Sequence, residues 1–227
     1  MSSLAPLNPS MASKPSSVRQ LQRVWWGVTT LLKFGRPSLL VHFDGGLGDD
    51  LMLTAVFREL HRRGGRRLWI MSRTPELFAG NPDVHHVLPP SAESIIVLRR
   101  LGVPILPCHY HRYDAVQDRD IAPPVHYIGM MCRGAGIRGN VQVRPYLHLA
   151  GAELSTGRFG TRQIALQTSA QGARFPMPNK DWPPGHFAEL LPALLHRGFT
   201  VMQIGQPTDP TFPGVLDKRG KTTLRVI

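Results

Sequence analysis

Apolar residues at positions 18, 21, 24, 25, 28, 31 and 32 recur at helical spacing, with Arg19, Arg23 and Lys33 on other faces. This predicts a basic amphipathic helix over 17–35, stopped by Pro37, because a residue before proline is pushed out of the helical region. Such a helix either packs on the domain behind it or lies on anionic lipid with Trp25 and Trp26 at headgroup level. Residues 38–43 then form a short β-rich run, followed by the glycine turn 45–48. Leu53, Val56, Phe57 and Leu60 keep the i, i+3, i+4, i+7 spacing of a second helix. Strands are predicted at 67–71, 85–88 and 103–106, and helices at 75–79, 94–101 and 125–133. Alternating strands and helices mean a doubly wound, mostly parallel α/β sheet.

Residues 151–162, with Gly151, Ser155, Thr156, Gly157 and Gly160, read as a linker. The alternation then restarts over 163–227. It comprises a strand at 164–167, a proline-rich loop, a helix carrying Phe187, Leu190, Leu191, Leu194 and Leu195, and a strand at 200–204. Pro192 should strain that helix. A third strand is expected near 215–216 and a helix start at 222–224. Two or three strands are too few to cover both faces of a parallel sheet. Residues 1–16, rich in Ser, Pro and Ala, are expected to be a disordered tail.

The 227 residues include 27 Lys and Arg against 15 Asp and Glu, and only 2 Cys. Few cysteines and the absence of a secretory signal pattern point to a reduced, cytoplasmic protein. No apolar run reaches the roughly 18 residues of a membrane span. The net charge of +12 is uneven: Lys14, Arg19, Arg23, Lys33 and Arg36 all precede the first acid, Asp44. Arg62, Arg63, Arg66 and Arg67 form a second cluster, read as a solvated helix end. Without interleaved aromatics or a recognition motif, this charge does not describe a nucleic-acid binder.

The loop GGLGDDLMLT at 45–54 is the most informative stretch. Gly46 and Gly48 allow a tight turn and close approach of another molecule, but the dinucleotide spacing G-x-G-x-x-G is absent. Asp49 and Asp50 at a helix start would repel a phosphate. Helix amides keep such a carboxylate ionised, fit to take a proton from a hydroxyl. Plain N-capping is the simpler account of an Asp there, and on these residues alone it is preferred. In PNKDWPP at 178–184, Lys180 beside Trp182 and two prolines is a point charge suited to a phosphate, or else part of a surface turn whose Trp packs inward. Gly205 follows a strand at the edge where open α/β sheets hold ligands. Cys108, His109 and His111 are close together but lack a further ligand at metal-binding spacing, so no metal site is expected. Cys132 reads as a buried thiol.

GGLGDDLMLTAVFRELHRR, GNPDVHHVLP, PNKDWPPGHFAELLPALLHRGFTVMQIGQPTDP and RGKTTL, in this order, resemble glycosyltransferase family 9, the heptosyltransferase-like enzymes of bacterial surface-polysaccharide synthesis. The resemblance implies two Rossmann-like domains in the GT-B arrangement. Residues 36–150 would be the acceptor domain and 163–227 an incomplete donor domain. It also implies inverting, metal-independent transfer without a cofactor, from a nucleotide-diphosphate sugar to a glycan acceptor. The acceptor-activating Asp falls on Asp49, with Asp50 beside it where the family has an apolar residue, and the donor-phosphate Lys falls on Lys180. The family continues past its Gly-Lys-Thr segment with a glycine-rich, His-containing loop. The expectation is therefore a truncated transferase, not competent as it stands, whose second domain is protease-sensitive, leans on the first or associates with another chain. The alternative is an inactive remnant or binding module that keeps the acceptor domain. The cytoplasmic placement extends to peripheral contact with the inner face of the plasma membrane.

Overall fold

The computed structural model describes residues 17–225 apart from 44, 111, 115, 118, 122, 123, 173–175 and 177. The expected tail, 1–16, and the candidate His111 lie outside the described residues. Helix α1 (Ser17–Phe34) leads into β1 (Leu39–His42), α2 (Leu47–Arg62), β2 (Leu68–Met71), β3 (His86–Leu88), α3 (Ala92–Arg100) and β4 (Ile105–Pro107). The four strands make one parallel sheet in the order β3-β2-β1-β4. Strand periodicity sorts their side chains onto two faces. Val41, Leu68 and Ile70 face α2 and α4 (Tyr127–Gly134), while Leu40, Trp69 and Met71 face α1 and α3. Helices on both sides explain why every residue of β2 is buried.

A hairpin of β5 (Arg112–Asp114) and β6 (Arg119–Ile121) follows β4, an antiparallel pair that the hydrophobic pattern does not announce. Residues 138–149 carry no regular structure and are tied to α2 through hydrogen bonds. Arg58 donates to the Gln142 and Arg144 carbonyls, Thr54 Oγ1 accepts from the Tyr146 N–H, and Glu59 accepts from the Gln142 N–H. The arginines expected merely to be solvated at the end of α2 are not all so. Arg63 bonds to Glu59 and to the Asn140 carbonyl, and Arg62 lies 3.6 Å from Glu59.

Burial alone would raise the carboxyl pKa of Glu59. The Arg63 and Gln142 hydrogen bonds, with the charges of Arg63 and Arg62, outweigh burial and hold it below 4.5. A depressed folded-state value contributes stability above the unfolded pKa that is lost as pH falls through the folded one. Glu59→Gln is therefore expected to cost about 1.5–3 kcal/mol near neutral pH. The gap from wild type should close below pH 4.5. Urea unfolding across that range measures it, and a pH-independent gap would contradict the assignment.

The second unit begins with α5 (Gly151–Thr156), a short helix inside the segment expected to be a linker. The parallel sheet β7 (Gln163–Gln167), β8 (Thr200–Ile204) and β9 (Leu216–Asp217) follows, with α6 (Pro184–His196) packed on Val201 through Phe187 and Leu191. Pro192 does not end α6. It lies on the exposed side, as does Ala188, whose carbonyl it leaves without an intrahelical donor and open to water. β8 is buried at its centre, while Gln163, Ala165 and Gln167 on β7 are exposed.

The helix start expected at 222–224 is absent; the chain makes a turn instead. Leu224 packs on the first core, and Arg225 donates to Glu153 and to the carbonyls of Glu76, Ala79 and His148. Hydrogen bonding to Arg225 lowers the Glu153 carboxyl to about 2. The second unit is thus strapped to the first.

Candidate active site

The chain passes from β1 to β2 to β3, then returns to the other side of β1 for β4, so the winding direction reverses between β1 and β4. At such a reversal the loops leaving the carboxyl ends of two neighbouring strands diverge and open a crevice. Phe43, Gly45 and Gly46, leading into α2, border it on one side, and 108–110, following β4, on the other.

Asp49 bridges the two sides. Its Oδ2 accepts from the Gly46 N–H at 2.6 Å, closing the first turn of α2, and its Oδ1 accepts from the Tyr110 hydroxyl at 2.6 Å. The carboxylate is partly exposed, held at both oxygens, with lone pairs left to meet a further donor. Burial, and then the bond to Asp49, hold the Tyr110 phenol above its ordinary pKa, so it remains a donor at neutral pH. Tyr110 stacks on Tyr127 at 4.6 Å, and Phe43 meets both Tyr110 and the exposed His109. Among the described residues the crevice therefore has an aromatic wall and an accessible carboxylate, that of Asp49.

Asp50 points elsewhere. It is 5% exposed, and its Oδ2 accepts from the hydroxyls of Ser72 at 2.5 Å and Thr74 at 2.8 Å, tying α2 to the loop after β2. Gly46 supplies the N–H that fixes Asp49, and a side chain at Gly48 would meet open space. The glycine that packing demands is Gly45, where a Cβ would overlap the Asp49 carboxylate and the Phe43 ring. Sequence reasoning missed Tyr110, whose only signal was a tyrosine just beyond a short buried strand, and Ser72 and Thr74, which gave none.

At the carboxyl edge of the second sheet a cavity of about 490 Å³ is lined by Thr168 and Ser169 after β7, Asp181 and Trp182 before α6, and Asp209 after β8. Asp181 accepts from the Ala170 N–H and the Gln171 side chain, and Asp209 accepts from the Gln206 N–H, so each carboxylate closes its own loop. Gly205 has φ +134, where a Cβ would overlap Asp209. This is the turn chemistry of Asp49 repeated without a tyrosine partner. Lys180 is exposed on the 3-10 turn Pro178–Lys180, next to Asp181, and is not among the residues lining the cavity. Trp182 meets Phe187 edge-on and stacks on the exposed His186, but is itself 46% exposed rather than packed inward. Cys108 is buried, its thiol pushed up to about 12 by desolvation. Among the described residues no three His, Cys, Asp or Glu side chains gather as metal ligands.

Two parallel α/β units, the second with a small sheet, define a GT-B-like chain. No family model and no curated protein matches the sequence. Solved structures do match, each over 82% of this chain. A family 9 glycosyltransferase from Veillonella parvula superposes with a TM-score of 0.59 at 14% identity, over 70% of its own length. The ADP-heptose lipopolysaccharide heptosyltransferase II of Escherichia coli gives 0.56 at 18% identity over 74% of its length. The iron-containing dodecameric glycosyltransferase TibC of enterotoxigenic E. coli gives 0.57 at 18% identity over 48% of its length. The fold of this chain is therefore the one these glycosyltransferases share. Among the described residues no helix is long and apolar enough to cross a membrane.

Proposed function

We propose that the protein acts in glycosyl transfer, moving a sugar from a nucleotide-diphosphate donor to a hydroxyl of a surface-polysaccharide acceptor. The observation that carries this reading is the Asp49 carboxylate, held open at the β1/β4 crevice by Gly46 and Tyr110. Asp49 takes the proton from the acceptor hydroxyl as its oxygen attacks the anomeric carbon. The bond from that carbon to the diphosphate oxygen breaks on the opposite face, so configuration inverts. Asp50 holds the loop, Gly46 and Gly48 leave room for the acceptor, and Lys180 with the Gly205 loop meets the departing diphosphate, whose developing charge is stabilised by fixed donors. A heptose-like sugar is the donor sugar this reading favours, by likeness to the E. coli heptosyltransferase.

The decisive experiment incubates the protein with nucleotide-diphosphate sugars and acceptor glycan and follows release of nucleoside diphosphate. Release coupled to a lengthened glycan is expected. Glycan binding without any donor binding would replace this reading with the acceptor-binding module. In calorimetry, Lys180→Ala should weaken a nucleoside diphosphate about tenfold or more while leaving the bare nucleoside unchanged, because only the former carries the charge Lys180 meets. Equal losses would remove Lys180 from the donor site and assign the defect to packing around Trp182.

A further inference from the structure

Helix α1 carries apolar side chains on two opposite faces. One face packs inward: Trp26 and Leu31 join the core with Leu98 and Trp69, Thr30 is buried, and Arg23 pairs with Glu93 at 2.6 Å. At Gly27 a Cβ would overlap Val97 and Leu101, so this glycine sets how closely α1 lies on α3. The other face consists of Leu21, Val24, Trp25, Val28 and Leu32, at the spacing of one helix stripe. It points away from the protein, with Leu21 and Trp25 each 70% exposed and Leu32 80% exposed. A helix of a water-soluble domain ordinarily keeps polar residues on its outer face.

We propose that this outer face of α1 docks on a bilayer containing anionic phospholipid. The charge around it selects that occupant. No acid occurs from residue 17 to residue 43, and the end of the helix is bordered by cations. Lys33 and Arg36 follow the stripe, Arg36 reaches the Gly102 carbonyl at the end of α3, and Arg99 and Arg100 are exposed on the last turn of α3. Arg67 lies against Gly35, with the exposed Arg66 beside it. A second copy of the chain would bring two basic surfaces together in a protein of net charge +12, and like charges repel. Anionic headgroups complement the cations while the acyl boundary receives the stripe, and each Lys or Arg near such a surface adds attraction. Of the two tryptophans, Trp25 faces outward, while Trp26 is half-buried against the core and only Trp25 is placed to meet headgroups.

Vesicle flotation of the full chain tests the proposal. Vesicles of phosphatidylglycerol and phosphatidylcholine should carry the protein, and pure phosphatidylcholine vesicles should carry it at least about tenfold less. Raising the salt to about 1 M, where the Debye length is about 3 Å, should weaken binding by a similar factor. The triple variant Leu21→Ala, Trp25→Ala, Leu32→Ala should lose binding at least about tenfold, because the apolar contact is gone. Its circular dichroism should be unchanged, since these side chains are outside the core. Brominated phospholipids should quench tryptophan emission of the wild-type protein, and quench that of Trp25→Ala less. Absence of flotation and quenching at low salt, or undiminished binding of the triple variant, overturns the proposal. Sedimentation showing a dimer that the triple variant dissolves, with no vesicle binding, assigns the face to a second copy instead.

Discussion

Asp49→Asn is expected to lower glycosyl transfer by about 10²–10⁴-fold, the usual contribution of a positioned acid–base group. Folding should hardly change. The amide keeps an acceptor oxygen for the Gly46 N–H, and its NH₂ can donate to the Tyr110 hydroxyl, which accepts as readily as it donates. What is lost is the ability to take a proton. The loss should appear in kcat more than in KM, because Asn fills the same space in the crevice. Tyr110→Phe should cost less, since it loosens the carboxylate without removing it. Transfer by Asp49→Asn at the wild-type rate would exclude Asp49 as the base and leave it the N-capping role alone.

Asp50→Ala is expected to act on stability, by about 3 kcal/mol. Hydrogen bonds to a charged group contribute about 1.5–3 kcal/mol each, and buried hydroxyls left without an acceptor add a desolvation cost. Ser72 and Thr74 would both lose their carboxylate, and the Thr74 N–H depends on Ser72 Oγ in turn, so the loop after β2 loosens as a unit. Asp50→Asn should retain part of this, because its oxygen can still accept. Urea unfolding of the two variants beside Asp49→Asn separates the roles. If Asp50→Ala unfolds like wild type and yet abolishes transfer, the two acids exchange functions.

The repetition of one loop device in both units bears on how Asp49 is read. Asp49 closes a turn onto the N–H of Gly46, three residues back, and Asp209 closes one onto the N–H of Gln206, also three residues back. A carboxylate in this position is therefore explained by turn closure alone. The second hydrogen bond, from a tyrosine across the crevice, together with the exposure that Asp209 lacks, sets Asp49 apart.

Periodicity alone located every helix and strand of the first sheet, because burial on one face or two is written within a few residues of each position. The helix at 17–34 and the strand, glycine turn and helix from 39 to 62 follow from spacing. The β5–β6 hairpin was not legible, since its strands are three residues each and lack alternation. Nor was the course after residue 221: residues 222–224 resemble a helix start locally, but Leu224 packs on the first core and Arg225 bonds to carbonyls of the first unit. Likewise, the sequence placed two acids at the start of α2 without distinguishing them, because neighbouring helix residues differ by about 100° in direction and either can face out. Only the tertiary structure decided it. Strand order put β4 beside β1 and so brought Tyr110 onto Asp49 from 61 residues away, while β2 on the other side brought Ser72 and Thr74 onto Asp50 from 22 and 24 residues away. Hydrogen bonds of that range depend on which strands become neighbours, a property of the whole sheet that no local window contains.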